Sequence, residues 1–207
     1  TGLSQTSYSA EALDMKKKGV RAVTMVSATS ETAKLLRDMK AQSFKPDFVL
    51  LGAQYYDPEL LSEPGSEGAY IEMNTVPFEE ADDVPAMKQF LDTYAKIDTK
   101  VEPTSLGVQA FSAGLLFATA AKAAGSDLTR DSLLDELHKV HDWDGGGLHM
   151  KANPGENKRA VCYLVMRVKG GKFVREAPAE PGTFTCDPKQ EVKLTGDYGT
   201  GAKASTK

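Results

Sequence analysis

The chain has 207 residues, a net charge of −4 and a hydrophobic fraction of 41%, a composition typical of ordinary globular proteins with one large or two modest domains. It contains no long basic run, so nucleic acid and anionic membranes are poor partners for it. The most apolar stretch, residues 106–124, contains Gln109 and Lys122 and is predicted to form a core helix rather than a membrane span.

A strand–helix–strand unit between residues 19 and 61 is the clearest pattern in the sequence. Residues 22–26 and 48–51 are short, nearly all-apolar runs, typical of parallel strands buried on both faces. Small polar residues at 27–30 begin the connecting helix, and residues 52–57 follow the second strand. Both loops therefore leave the carboxyl ends of neighbouring strands, the edge at which open α/β sheets bind ligands. The alternative is that they are solvated connections.

The rest of the chain indicates a second block and a return to the sheet. Residues 68–75 alternate like a strand, and residues 75–78, followed by an acidic run, are interpreted as a crossover that leaves the sheet. Predicted helices follow, up to Val140. Residues 160–168 and 172–176 then form a predicted hairpin around Gly170 and Gly171.

The sequence contains no recognisable catalytic or cofactor motif: GxGxxG, a phosphate loop and Gly-x-Ser-x-Gly are all absent. His138 and His141 are interpreted as helix-end histidines, because a zinc site needs three or four converging ligands. We therefore expect no enzyme activity, no metal and no cofactor. The two cysteines, Cys162 and Cys186, are either buried thiols or a disulfide that closes a 25-residue loop and indicates an oxidising compartment.

Six segments of the chain carry a resemblance to a known family. They are SYSAEALDMKKKGVRAV, SETAKLLRDMKAQSFKPDFVLLGAQYYDPELL, GAYIEMNTVPF, FLDTYAKI, VQAFSAGLLFATAAKAAG and GLHMKANPGENKRAVCYLVMRVKGGKFVREAP. Together they resemble the type I periplasmic solute-binding proteins, in particular the branched-chain amino acid class of ABC importers. The resemblance implies an α/β fold of two parallel-sheet βα lobes, with the N-terminal part missing. It also implies a disulfide between Cys162 and Cys186, since the PGTFTC tail is similar to that of secreted actinobacterial members.

The resemblance divides the chain into five parts. Residues 1–74 would be a βα segment of the second lobe, 75–78 a crossover, 79–140 the C-terminal helices of the first lobe, 141–176 a closing strand and hairpin, and 177–207 a disulfide-stapled tail. The opening βα units of the first lobe would then lie outside this chain. Half-lobes should expose apolar surface, which predicts association with the missing N-terminal part of the same protein.

The resemblance also implies a small set of ligand-binding residues. Ala28 matches a position that is often aromatic in the amino-acid binders, and Ser105 matches a loop residue that lines the side-chain end of the ligand. Gln54 matches the position where those relatives place a carboxylate on the ligand's ammonium group. A neutral amide cannot offset a buried ammonium charge in that way, which argues against an α-amino acid ligand. Tyr55 and Tyr56 either contact the ligand or pack against the adjacent lobe.

The function implied by the resemblance is solute capture outside the cytoplasm. The chain would belong to a periplasmic or cell-surface lipoprotein that binds a small polar or amino-acid-like solute between two lobes and presents it to the membrane permease of an ABC importer. One alternative is a cytoplasmic amide or amino-acid sensor or regulator on the same fold, which reduced, separated cysteines would favour. Another is a flavodoxin-like enzyme, which flavin or nucleotide binding at residues 27–30 would support.

Overall fold

The computed structural model describes residues 5–97, 100–158, 160–187 and 189. The α-helices are α1 (Ser9–Lys17), α2 (Thr29–Ala41), α3 (Pro58–Leu61), α4 (Pro85–Tyr94), α5 (Ser105–Ala124) and α6 (Arg130–Leu137). The strands are β1 (Ala22–Thr24), β2 (Phe48–Leu51), β3 (Tyr70–Met73), β4 (Leu164–Lys169) and β5 (Lys172–Ala177). Short 3₁₀ helices cover Ala53–Tyr55, Pro64–Ser66, Phe78–Glu80 and Pro154–Glu156.

The strands form one mixed sheet in the order β1–β2–β3–β4–β5. β1, β2 and β3 are parallel, whereas β4 is antiparallel to β3 and β5 is antiparallel to β4. Gly170 and Gly171 join β4 to β5 with φ angles of 59° and 70°, which a two-residue hairpin turn requires and glycine adopts without steric cost. The predicted strand–helix–strand unit and the predicted hairpin are thus confirmed.

The prediction that the first two strands are buried on both faces is wrong. Only Val23 is buried in β1, Phe48 in β2 is 39% exposed, and Val26, just beyond β1, is 90% exposed. β1 lies at the edge of the sheet, and buried positions alternate with exposed ones because one face of the strands carries the core. On the opposite face the Arg167 guanidinium lies 4.8 Å from the centre of the Tyr70 ring.

Two buried clusters lie on either side of the predicted crossover. The larger cluster joins one face of the sheet to α1 and α2. The smaller cluster joins α4, α5 and the crossover, and consists of Val76, Val84, Met87, Phe90, Val108 and Leu148. Phe78 and Phe184 pack against both clusters. Residues 75–78, called the crossover below, therefore lie where the two clusters meet. Their role as a crossover between lobes and the boundaries of the five parts stay predictions.

Helix α5 corresponds to the predicted core helix, but it is less buried than a core helix would be. Its buried residues are Ser105, Val108, Ser112 and Ala120. Leu106 is 56% exposed and Phe117 is 54% exposed, so the described residues leave much of this apolar helix open. Its length and composition alone would also suit a membrane crossing, a test that core helices of soluble proteins pass as well.

Two sets of contacts fasten the segment after β5. Cys162 and Cys186 form a disulfide, as the resemblance implies, and beside it Tyr163 and Thr185 exchange backbone hydrogen bonds of 3.1 and 2.8 Å. The described part of the predicted tail is therefore tied to the chain that enters β4. Residues 1–4 of the first predicted part, and residues 188 and 190–207 of the tail, lie outside the described residues.

A buried ion pair forms the second attachment. The Glu80 carboxylate, just after the crossover, accepts hydrogen bonds of 2.7 Å from Nη2 of Arg175 in β5 and from the backbone N–H of Gly182. Arg175 also donates to the carbonyl oxygens of Pro178 and Thr183, each at 3.2 Å. Both charged groups are nearly inaccessible to solvent, so this pair couples the crossover to β5 and to the chain that follows it.

Candidate functional site

The loops that follow β1 and β2 are joined by the hydroxyl of Tyr55. This fully buried residue lies in the 3₁₀ helix after β2, and its hydroxyl oxygen accepts a 2.7 Å hydrogen bond from the backbone N–H of Ser27. The same hydroxyl lies 3.0 Å from the carbonyl oxygens of Met25 and Ser27, to which it can donate. The two loops are therefore fixed side by side at the carboxyl edge of the parallel strands.

Ala28 lies in the first of these loops and begins α2. It is exposed, and its side chain cannot cap the helix, although its carbonyl oxygen accepts from the N–H groups of Glu31 and Thr32 at 3.1 and 3.2 Å. The positive end of the α2 dipole therefore opens at this edge without a side-chain acceptor from the N-cap residue.

Gln54 lies in the second loop and is half-buried. Its side chain folds over Gly52, where a Cβ atom would lie only 2.7 Å from the Gln54 amide oxygen. Among the described residues, the Gln54 amide has no hydrogen-bond partner, so both its donor and its acceptor are available at the edge of the sheet.

Ser105 is brought next to the same loop by the first turn of α5. Its hydroxyl donates a 2.6 Å hydrogen bond to the carbonyl oxygen of Ala53, and the residue is buried. One turn further, Gln109 Nε2 donates to Asn74 Oδ1 at 3.1 Å. Ser105 thus lies beside Gln54 in the chain's fold, and its hydroxyl already holds α5 against the loop. We call the set of Ala28, Gln54 and Ser105 the solute wall; Ala28 is exposed and Gln54 is half-buried, whereas Ser105 is buried.

For Tyr55 and Tyr56 the structure favours packing over ligand contact. The Tyr56 hydroxyl donates to the Glu79 carboxylate and accepts from the Phe78 N–H at 2.9 Å, and its ring lies 4.6 Å from the ring of Phe173. Burial, together with the charge of Glu79, raises the pKa of Tyr56 far above its ordinary value. Tyr55 therefore holds the two strand-end loops together, whereas Tyr56 binds the segment at Phe78 and Glu79.

The carboxylates of the two loops already have partners. Glu31 is nearly buried, and hydrogen bonds from Lys34 at 2.7 Å and from the Tyr8 hydroxyl at 2.9 Å lower the pKa of its carboxyl group. Asp57 accepts from the Glu59 N–H at 2.8 Å and caps α3. Ala28, Gln54 and Ser105 themselves carry no charge.

The described residues contain no group of three or more His, Cys, Asp or Glu side chains arranged to hold a metal ion. His138 Nδ1 lies 3.0 Å from the carbonyl oxygen of Gly155, and His141 Nδ1 lies 3.0 Å from Oδ1 of Asn153. These two side chains thus bond to the turn around the last 3₁₀ helix.

The sequence matches the family of periplasmic binding proteins over residues 1–172. The chain belongs to this family. Its α/β fold is that of a type I periplasmic binding protein over part of its length. The family consists of binding proteins. No curated protein matches the sequence.

Periplasmic binding proteins of known structure have the same fold. The leucine-binding protein LivK of Thermotoga maritima is 21% identical with a TM-score of 0.67, and the match covers 84% of this chain and 49% of that protein. A branched-chain amino acid ABC transporter protein of Thermus thermophilus, solved with bound valine, is 16% identical with a TM-score of 0.71 and coverage of 87% and 50%. A fatty acid ABC transporter substrate-binding protein of Thermomonospora curvata is 21% identical, with a TM-score of 0.69 and coverage of 83% and 46%. The chain spans about half the length of these proteins.

Proposed function

We propose that this chain is the C-terminal part of an extracytoplasmic solute-binding protein of an ABC importer. In this proposal a small polar or amino-acid-like solute binds between two lobes, and Ala28, Gln54 and Ser105 line one side of the cleft. The observation that carries the proposal is the bond network of Tyr55, which holds two strand-end loops together at the sheet edge where α/β folds bind ligands.

The opposite side of the cleft would come from the N-terminal part of the same protein. This chain spans about half the length of the binding proteins that it resembles, which supports such a division. Solute contacts from both lobes would stabilise the closed form, and the membrane permease of the importer would recognise that form. The bond between Cys162 and Cys186 supports an oxidising, extracytoplasmic location.

Gln54 carries no charge, which favours a solute whose group next to Gln54 is also uncharged. A buried ammonium group loses its hydration, and without a carboxylate partner this free-energy cost is not offset. Glu31 is paired with Lys34 within α2, Asp57 caps α3, and position 54 itself carries an amide rather than a carboxylate. An amide or a urea fits this wall, as does an amino-acid-like solute whose ammonium group faces the other lobe.

A thermal-shift screen of the protein against amino acids, amides, urea and small aromatic acids tests the proposal, with titration calorimetry on each hit. We expect Gln54→Ala to weaken binding about tenfold, or about 1.4 kcal/mol. Gln89→Ala removes an exposed amide from α4 and should leave the affinity unchanged. Equal affinity of wild type and Gln54→Ala would show that the cleft lies elsewhere.

The alternatives from the sequence have less support. A cytoplasmic sensor or regulator of amides or amino acids is disfavoured by the disulfide, because cytosolic thiols are kept reduced. Mass spectrometry of the alkylated protein from its natural host would decide between the two, since a sensor should carry both thiols free. The flavodoxin-like enzyme is not supported by the family match.

A further inference from the structure

The sheet ends at β5, which pairs with β4 alone in the part of the chain that the structure describes. An edge strand presents a row of unpaired N–H and C=O groups, to which another chain can bind. β5 contains no proline, and its register with β4 shifts only between the partners of Met166 and Val165. The strand is therefore regular and open at its outer edge from Lys172 to Arg175.

The hairpin turn determines which backbone groups of β5 face outward. The turn has two residues, so the pair that flanks it, Lys169 and Lys172, is a hydrogen-bonded pair. The bonding direction alternates along antiparallel strands, so the N–H and C=O groups of Phe173 and Arg175 point away from β4. Among the described residues, no backbone group outside β4 bonds to these two residues.

The side chains of β5 alternate between a buried face and an exposed face. Phe173 belongs to the larger core cluster, and the Arg175 side chain is held in the buried ion pair that couples β5 to the crossover. Lys172, Val174 and Glu176 lie on the opposite face, where Val174 is 39% exposed. The buried face fixes the strand in place and leaves the other face to the solvent.

The exposed face of β5 is complementary to itself. When β5 lies antiparallel to a copy of itself with Val174 at the centre, Lys172 of each copy faces Glu176 of the other, and the two valines meet. Lys172 is exposed and has no ion-pair partner among the described residues. Opposite charges and β-branched side chains directly across from each other stabilise paired strands.

The same register also satisfies the outward-facing backbone groups. Phe173 of one copy lies opposite Arg175 of the other, and each presents its N–H and C=O groups to its counterpart. A shift of one residue would place an outward-facing group opposite an inward-facing one and would separate Lys172 from Glu176. Backbone bonding and side-chain charge therefore select one arrangement.

We propose that β5 pairs antiparallel with β5 of a second copy of this protein, so that one sheet continues through a two-fold dimer. Such an interface uses the same patch on both copies and closes on itself. It is small, so the dimer is weak and forms as the protein concentration rises. The solute wall includes the loops after β1 and β2, at the other end of the strand order, and is not used by this contact.

Cysteine cross-linking of the complete gene product tests the proposed register. The two copies of position 174 form a non-hydrogen-bonded pair with Cα atoms about 4.5 Å apart, a separation that a disulfide spans. Lys172→Cys is the matched control on the same face, because its two copies would be displaced by about 13 Å along the strands. Under mild oxidation we expect Val174→Cys to form linked dimers about tenfold faster than Lys172→Cys. Peptide mapping verifies that the bond between Cys162 and Cys186 stays intact.

Sedimentation velocity over a range of concentrations measures the association itself. Lys172→Glu places like charges opposite Glu176 at both ends of the contact and should raise the dissociation constant of the dimer about fivefold. Lys17→Glu makes the same change of charge at an exposed residue of α1 and should leave the dissociation constant unchanged.

The proposal is wrong if the protein stays monomeric at its highest soluble concentration, or if the two cysteine variants cross-link at equal rates. An equal dissociation constant for Lys172→Glu and Lys17→Glu would also contradict it. Hydrogen exchange gives an independent check, since the outward N–H groups of Phe173 and Arg175 should exchange rapidly in dilute solution and slowly in the dimer. Slow exchange in the monomer would show that another segment of the same protein already covers β5, and would overturn the proposal.

Discussion

Replacing Tyr55 with phenylalanine tests the contact on which the solute wall depends. The ring stays in place, but the Ser27 N–H loses its acceptor at 2.7 Å, and the carbonyl oxygens of Met25 and Ser27 lose a donor at 3.0 Å. Tyr55 is fully buried, so water does not replace the hydroxyl without rearrangement. Leaving such groups unpaired costs about 1–3 kcal/mol, and we expect the free energy of unfolding to fall by that amount.

Urea unfolding followed by fluorescence of the single tryptophan, Trp143, measures this loss. With a urea dependence of about 2 kcal/mol per molar, the midpoint should fall by roughly 0.5–1.5 M. Tyr94→Phe is the matched control, because its hydroxyl donates at 2.9 Å to the Val101 carbonyl oxygen at the surface and should cost less than about 0.5 kcal/mol. If both variants unfold at the same urea concentration, Tyr55 does not hold the two loops together. Ala28 and Gln54 would then not be positioned by a shared contact.

Three further predictions concern the attachments around the crossover. Serine at both Cys162 and Cys186 opens a 25-residue loop and should lower the unfolding free energy by about 3 kcal/mol in urea; a loss below 1 kcal/mol would contradict the chain-entropy account. Burial and a neighbouring glutamate raise the pKa of Tyr56 in the folded state, so its contribution to stability is complete below the ordinary tyrosine pKa of about 10 and declines above it. Melting curves from pH 8 to 11 should therefore show an alkaline decline that Tyr56→Phe reduces, and an identical decline in the variant would be evidence against this reasoning. Glu80→Gln leaves Arg175 buried without its charge partner and should cost about 3–5 kcal/mol by urea unfolding, whereas replacing both with leucine and methionine should recover most of the loss.

Local patterns in the sequence were sufficient to predict the elements whose conformation depends on residues adjacent in the chain. Gly170-Gly171 between two alternating runs predicts a hairpin because the turn itself needs two residues with positive φ. The run from Phe48 to Leu51 is different, since four apolar residues fit a strand with one or two buried faces equally well. Only the burial seen in the structure, where Phe48 is exposed and Leu51 is buried, shows that one face is open.

The candidate site depends on contacts between distant parts of the sequence, which single-sequence patterns do not reveal. The hydroxyl of Tyr55 meets a backbone group 28 residues earlier, and Ser105 meets a carbonyl oxygen 52 residues earlier. A tyrosine pair after a strand is compatible with ligand contact or with packing until the positions of Ser27 and Phe78 are known. The resemblance predicts the region of the ligand site, and in the structure the hydroxyls of both tyrosines form hydrogen bonds within the chain.

The attachments of the crossover also limit how far a cleft of this kind can open. Thr75 is paired with His149 at one end, the Phe78 N–H donates to the Tyr56 hydroxyl oxygen in the middle, and Glu80 is bound by Arg175 at the other end. A wide swing of the helical cluster would have to break at least one of these bonds, while a rotation of a few degrees can be absorbed by small dihedral changes. We therefore expect any movement of the helical cluster against the sheet to have a low amplitude.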